Sequence, residues 1–217
     1  MKNKIKVFFS LLTHGDITVI FKIIKNRIYS NTSYYFFRRD LNRGITYIPE
    51  AKIEVSIRPY RDSDYEHFKG LPLDDMLLNA NIPTCYVAVT QDGTPCFREW
   101  FIEPSQNEKI KSFFGHNFPS LEEDECIFER AYAVERYRGM NIYSVVNYHL
   151  GKKALELGYR WAVSCIEISN IESLKGAIKL EARPHKLQVT KWRFFVRRTV
   201  YVEIPKKLKA KNPWLFD

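Results

Sequence analysis

The chain alternates between two hydrophobic rhythms, and their order predicts the elements. Near the start, ITVIFKIIKNRIYSN places Ile17, Ile20, Phe21, Ile24 and Ile28 on one helical face and Lys22, Lys25, Asn26 and Arg27 on the other. Gly15-Asp16 supplies a start for this helix, with Asp16 as its cap. A helix packed on its own domain is the default reading, and a basic helix lying on a membrane or gripping a partner is the alternative. YYFFRRDL then reads as extended, with a turn near Asn42-Arg43-Gly44. AKIEVSIRPY alternates Ile53, Val55 and Ile57 against Lys52, Glu54, Ser56 and Arg58, the pattern of a half-buried strand ended by Pro59. RDSDYEHFKGL and PLDDMLLNANIP read as two short helices, the first capped by Asp62 or Ser63.

TCYVAV and PCFREWFI flank an Asp92-Gly93 turn, so a β-hairpin is expected. SQNEKIKSFFG follows as a helix or lid, and NFPSLEEDE as an acidic loop. The strand ECIFERAYAV leads into a helix from Met140 or Asn141 to Leu157, which Gly158 ends. Its apolar stripe is Ile142, Val145, Val146, Leu150, Ala154 and Leu157. Next come the strand WAVSCIEI, the helix IESLKGAIKLEA, a long strand pair from Lys186 to Ile204, and a basic tail, KKLKAKNPW, read as loose. Two strands joined by a helix run parallel. The expected fold is therefore α/β, with a mixed sheet and a site where that sheet opens at its strand ends. The expected organisation is an N-terminal extension over 1–50, one domain over 51–205 and a tail over 206–217.

Composition narrows the function classes. The 217 residues carry a formal net charge of +9, which suits a polyanionic or phosphorylated partner. The four cysteines form no C-x-x-C pair and have no histidine at ligand spacing, so no metal site is expected and a reduced, cytoplasmic chain is the economical inference. The apolar run Val7–Leu12 is too short for a membrane span of ~20 residues. No G-x-S-x-G elbow and no Walker loop occurs. Zinc-finger, helix-turn-helix and RNA-recognition signatures are missing too, so nucleic acid is not the expected partner.

Candidate chemistry centres on AVERYRGMNIYS. A helix N-terminus presents unbonded amides and the positive end of its dipole, and so binds anions. Arg136 and Arg138 add cations at that mouth, and Gly139 lets the backbone approach a ligand.

These residues, Tyr137-Arg138-Gly139 with Ile142, together with Asn170, Ser173 and Lys179 in the next helix, resemble the GNAT N-acyltransferase superfamily. Its loop reads Arg/Gln-x-x-Gly-x-Gly/Ala. The resemblance spans roughly residues 53–200 in element order, with its specific motifs in 128–182. It implies a mostly antiparallel mixed sheet with a parallel pair splayed at the cofactor site, and acetyl-coenzyme A or another acyl-coenzyme A as co-substrate. It implies a diphosphate grip by Arg138, Gly139, Met140, Asn141, Ile142 and Tyr143. Ala133 and Val134 would meet the pantetheine arm, and Asn170, with Ser173 in register, would reach the cofactor from the neighbouring helix. This chain departs from the pattern at Asn141 and Tyr143, where the family has small residues. Ala177 stands where the family has an acid tyrosine, and Glu181-Ala182 replace Gly-Phe.

For the reaction, Glu129 is the candidate base and Tyr132 a candidate donor near the thioester, with a strand ion pair and core packing as their alternatives. Glu167, His149 and His185 are weaker candidates. Trp100 and Phe101 form an acceptor wall or core. The expected activity is N-acylation of a primary amine, most simply acetylation, by direct attack in a ternary complex. The alternatives are a non-catalytic acyl-coenzyme A or partner-binding module and a membrane-seated synthase for long acyl chains.

Overall fold

The computed structural model describes residues 17–44, 48–69, 77–78, 81–82, 84–115 and 118–216. The Asp16 cap and most of the second short helix lie outside them. Helix α1 (Ile17–Ile28) leads into β1 (Tyr29–Asp40). Then come β2 (Val55–Pro59), the short helix α2 (Tyr65–Phe68), and the hairpin of β3 (Cys85–Thr90) and β4 (Pro95–Ile102). Helix α3 (Asn107–Phe114), β5 (Glu125–Ala133), α4 (Ile142–Glu156), β6 (Trp161–Glu167) and α5 (Ile171–Lys179) follow. The chain ends with β7 (Arg183–Arg193), β8 (Val196–Val202) and α6 (Lys206–Lys211).

The eight strands form one sheet in the order β2-β3-β4-β5-β6-β1-β7-β8. Every neighbouring pair is antiparallel except β5 and β6, which are joined through α4 and run parallel. Pro59 closes β2, an edge strand, where its missing amide costs no ladder bond. The hairpin turns at Asp92-Gly93 as expected, with Gly93 at φ 82.

Helix α4 packs on one face through Ile142, Val146, Leu150 and Ala154, against Phe97, Phe101, Cys126 and Phe128. Helix α5 lies on the same face through Leu174 and Ala177. The opposite face is covered by Ile110 of α3, Leu77 and Ile82 over Trp100, Ile102 and Ile127.

Two boundaries differ from the sequence reading. β1 comes from the stretch assigned to an N-terminal extension, yet it lies inside the sheet between β6 and β7. Tyr35, Phe36 and Phe37 are buried in succession, as a strand covered on both faces requires. The C-terminal tail is docked rather than loose. After α6, a single turn over Pro213–Leu215 inserts Leu215, fully buried, beside Tyr35 and Phe37.

Helix α1 lies against β1 and β7, with Ile24 half-buried. Phe21 is 68% and Ile28 41% exposed.

Candidate functional site

The site follows from one interruption in the sheet. β5 and β6 pair only from Glu125–Trp161 to Ile127–Val163, although β5 runs on to Ala133 and β6 to Glu167. Beyond that point the strands part. The cause lies partly in β5. Between Arg98–Tyr132 and Trp100–Glu129, three steps along β5 face two along β4, and Arg130 takes up the extra residue at φ 60. Such a bulge bends a strand and increases its twist.

The wedge is a cleft of about 1230 Å³. β5 lines it from Phe128 to Ala133, β6 through Ser164, Cys165 and Ile166, and α5 through Glu172, Ser173, Gly176 and Lys179. Across its mouth runs the loop from Tyr137 to Ser144. A second cavity, of about 290 Å³, shares Glu129, Arg130 and Cys165 with the cleft where the strands part and is otherwise lined by Ile127, β1, β7, β8 and the loop at Phe118.

The loop is built as its sequence suggests. Gly139 has φ 74, and a Cβ placed there would meet nothing within 4 Å, so its backbone borders open space. Asn141 also takes the left-handed conformation, at φ 61, which Asn tolerates better than most residues. Its side chain does not cap α4. Instead its Nδ2 donates to the Glu50 carbonyl at 2.7 Å, and its Oδ1 accepts from Lys179 Nζ at 3.0 Å. The first-turn amides of α4 therefore have no side-chain cap, and helix geometry gives them no partner inside the helix. The Lys52 amide donates to the Met140 carbonyl at 3.0 Å, and Arg138 Nε to the Ala133 carbonyl at 3.4 Å. The Arg138 and Lys179 side chains are thereby held at the helix mouth, and Lys52 lines the cleft beside them. This donor set fits a diphosphate.

Tyr143, the bulky departure from the family pattern, does not fill that mouth. Its ring lies near Phe97, with centroids 6.4 Å apart, and a Cβ on Gly176 would come within 3.3 Å of it. Gly176 makes room for Tyr143. Burial raises the phenol pKa, with Glu99 adding to the effect, so the group stays protonated.

The remaining sequence candidates divide. Glu129, Tyr132, Ala133, Arg138, Gly139, Met140, Asn141, Ile142, Tyr143 and Ser173 all line the cleft. Asn170 and Val134 are not among the lining residues. Asn170 caps α5, accepting from the Ser173 amide at 3.2 Å, and the Val134 amide donates to Cys96 at 3.0 Å. Glu129 sits 3.7 Å from Arg130 at the junction of the two cavities. Tyr132 packs edge-on against Phe68. Trp100 and Phe101 are core, Glu167 accepts from Ser169 on the exterior, and His149 is exposed on α4. His185 sits against Phe36, outside both cavities. Ala177 is buried beneath α5.

Pattern reading missed Glu99. It is 2% exposed in β4 and lines the cleft floor, with its Oε2 accepting from Asn147 Nδ2 at 2.9 Å. Burial, with Glu129 nearby, pushes its pKa up to about 8. The available signal was a charged pair, Arg98-Glu99, inside the otherwise apolar PCFREWFI. Cys165 also borders both cavities, but burial raises its thiol pKa, so it stays a protonated, poor nucleophile.

Solved structures supply the comparison for this arrangement. One is a region described as a GCN5-related glucosamine N-acetyltransferase in a fungal multi-domain GH3 β-N-acetylglucosaminidase, at TM-score 0.56 and 10% identity over 80% of this chain. A GCN5-related N-acetyltransferase from Sphaerobacter thermophilus superposes at 0.54 and 10% identity over 86%. A GNAT-family acetyltransferase from Colwellia psychrerythraea does so at 0.53 and 10% identity over 82%. The fold is that of the GCN5-related N-acetyltransferases. The chain spans 22%, 58% and 62% of these three chains' lengths, respectively. No family model and no curated protein matches the sequence. In this chain the candidate site lies between the parallel pair β5–β6 and the loop before α4.

Proposed function

We propose that the protein is an acyl-coenzyme A dependent N-acyltransferase, with acetyl as the simplest acyl group and a small-molecule primary amine as acceptor. One observation carries this reading: the uncapped N-terminus of α4, ringed by Lys52, Arg138 and Lys179, stands at the mouth of the wedge between β5 and β6. The diphosphate would sit on the loop amides from Gly139 to Tyr143. The pantetheine arm would run along β5 at Tyr132 and Ala133, like a partial strand.

The thioester would then lie near Glu129, with the amine entering from the smaller cavity. The amine nitrogen attacks the thioester carbon, the C–N bond forms and the C–S bond breaks. The amine's surplus proton leaves through Glu129 and ends on the coenzyme A sulfur. No residue is acylated on this route, in keeping with the raised Cys165 thiol pKa. Much of the acceleration would come from holding the two substrates together. All four cysteines are free thiols, which suits a reducing compartment such as the cytoplasm.

Titration calorimetry with acetyl-coenzyme A, followed by thiol release against a panel of amines, tests the proposal. Binding with turnover on at least one amine is expected, and no heat of binding would overturn it. A second reading has its own support. Ala177, which the resemblance aligns with the family's acid tyrosine, is buried and offers no donor, and this favours a module that binds the thioester without turning it over. Binding without release on any amine would select it.

A further inference from the structure

The end of the molecule formed by α1 and the β7–β8 hairpin carries a surface that the cleft does not use. Arg193 pairs with Val196, so Phe194 and Phe195 form a two-residue turn, with φ of 47 and 66. That turn type selects Asn-Gly, because both positions are left-handed. Two phenylalanines there are strained, and they are also 80% and 57% exposed. Strain held at a site that packing does not reward points to a role outside the fold.

The surroundings identify the partner. The Phe194 and Phe195 amides donate to the carbonyls of Ile28 and Arg27, both at 2.8 Å, which joins the hairpin tip to the end of α1. Phe21, Ile28, Tyr29 and Val196 extend the exposed apolar surface. No acidic residue occurs from Ile17 to Arg39 or from Arg183 to Val202. Lys25, Arg27, Lys191 and Arg198 are exposed around the patch, and the Arg193 guanidinium lies 3.8 Å from the Tyr29 ring centre. Aliphatic Ile28 and Val196 gain nothing from stacking on bases but do gain by leaving water for hydrocarbon. Exposed apolar side chains among exposed lysines and arginines match the headgroup boundary of an anionic bilayer.

We propose that this end of the protein binds anionic membrane surfaces, inserting Phe194 and Phe195 while the flanking lysines and arginines meet lipid phosphates. Among the described residues no helix is long and apolar enough to cross a membrane, so the contact proposed is with the membrane surface. Trp192 and Arg197 line the smaller cavity and belong to this hairpin, so a bound membrane lies beside the compartment from which the acceptor would enter. The inference does not depend on acyl-coenzyme A, because vesicle binding requires nothing in the cleft.

Flotation of the full chain with phosphatidylcholine vesicles, with and without phosphatidylglycerol, tests it. Flotation with the anionic vesicles alone, weakened by salt, is expected. The double variant Phe194→Asn/Phe195→Gly supplies the residues the turn favours, so it holds or raises the melting temperature while binding falls at least about ten-fold. Lys191→Gln/Arg198→Gln weakens binding on the order of ten-fold. Absence of flotation overturns the proposal, as does flotation that the Phe variant retains. Two further results overturn it in favour of other occupants: a dimer that the Phe variant dissolves, without flotation, and retention on nucleic acid without flotation.

Discussion

Asn147 of α4 donates its side-chain amide to Glu99 of β4 at 2.9 Å, which holds a buried carboxyl at the floor of the cleft. Glu129 of β5 and Arg39 of β1 act on the same group with opposite signs, and Tyr143 lies in the same field. Burial outweighs the favourable contacts and lifts the pKa from 4.5 to about 8. The folded state thus holds a proton that the unfolded state releases. Stability from this group is complete below about pH 4.5 and is lost as pH rises through about 8. Glu99→Gln keeps a hydrogen-bonding partner for Asn147 and removes the titration. Urea unfolding at pH 5 and pH 8.5 should show the variant gaining on the parent by on the order of 1–3 kcal/mol at the higher pH. Equal pH slopes for the two proteins would contradict the burial argument.

Glu129 is the carboxylate shared by the two cavities, with Arg130 3.7 Å away. If it takes the amine proton, Glu129→Gln should lower kcat/KM for the amine by about 10²–10⁴-fold. The dissociation constant for acetyl-coenzyme A should not change, because the proposed diphosphate contacts would lie at the far end of the loop. Raising the pH should partly restore the rate, since a larger share of the amine is then already neutral. A parallel fall in affinity would instead mark Glu129 as a support for the bulge at Arg130.

Much of this site is legible in the chain because local rules govern it. A strand, an Arg-Gly step and an amphipathic helix fix the mouth at Gly139 and Asn141, and the connection through α4 fixes the parallel pair. Other parts depend on contacts remote in sequence, which periodicity does not carry. Tyr143 turns toward Gly176, and Glu50 and Lys52 reach the loop from ninety residues upstream (Asn141 to Glu50, a separation of 91). Glu99 is hidden in a strand whose every residue is buried, so alternation gives no cue to its face. β1 carries no local cue to its place in the sheet, because nothing near it in sequence pairs with it. Its partners, β6 and β7, come more than a hundred residues later.

Gly139 has φ 74 beside open space, so a side chain there meets strain without a clash. Gly139→Val should cost about 1–2 kcal/mol of stability from the left-handed backbone alone. It should also place a branched side chain where a diphosphate would approach the amides. Thermal melting reports the first effect. Calorimetry with acetyl-coenzyme A should report at least a ten-fold loss of affinity. Asn141→Gly is the informative contrast. It keeps the backbone at φ 61 accessible but removes the links to Glu50 and Lys179, so it should weaken binding while leaving the turn intact.

Leu215 is fully buried in the cluster with Tyr35 and Phe37, and the Phe216 ring meets Tyr35 edge-on at 6.2 Å. The last turn of the chain therefore covers β1, the strand that joins the β5–β6 half of the sheet to β7 and β8. Leu215→Ala should cost about 2–5 kcal/mol, the range for a buried leucine emptied to a methyl. The neighbouring Lys206 and Lys207 are exposed, and their replacement by Gln should change stability by less than about 0.5 kcal/mol. Chemical denaturation of the three variants separates a docked terminus from a loose basic tail. A tail held only by its charge would reverse the ranking, with the lysine variants the more damaging.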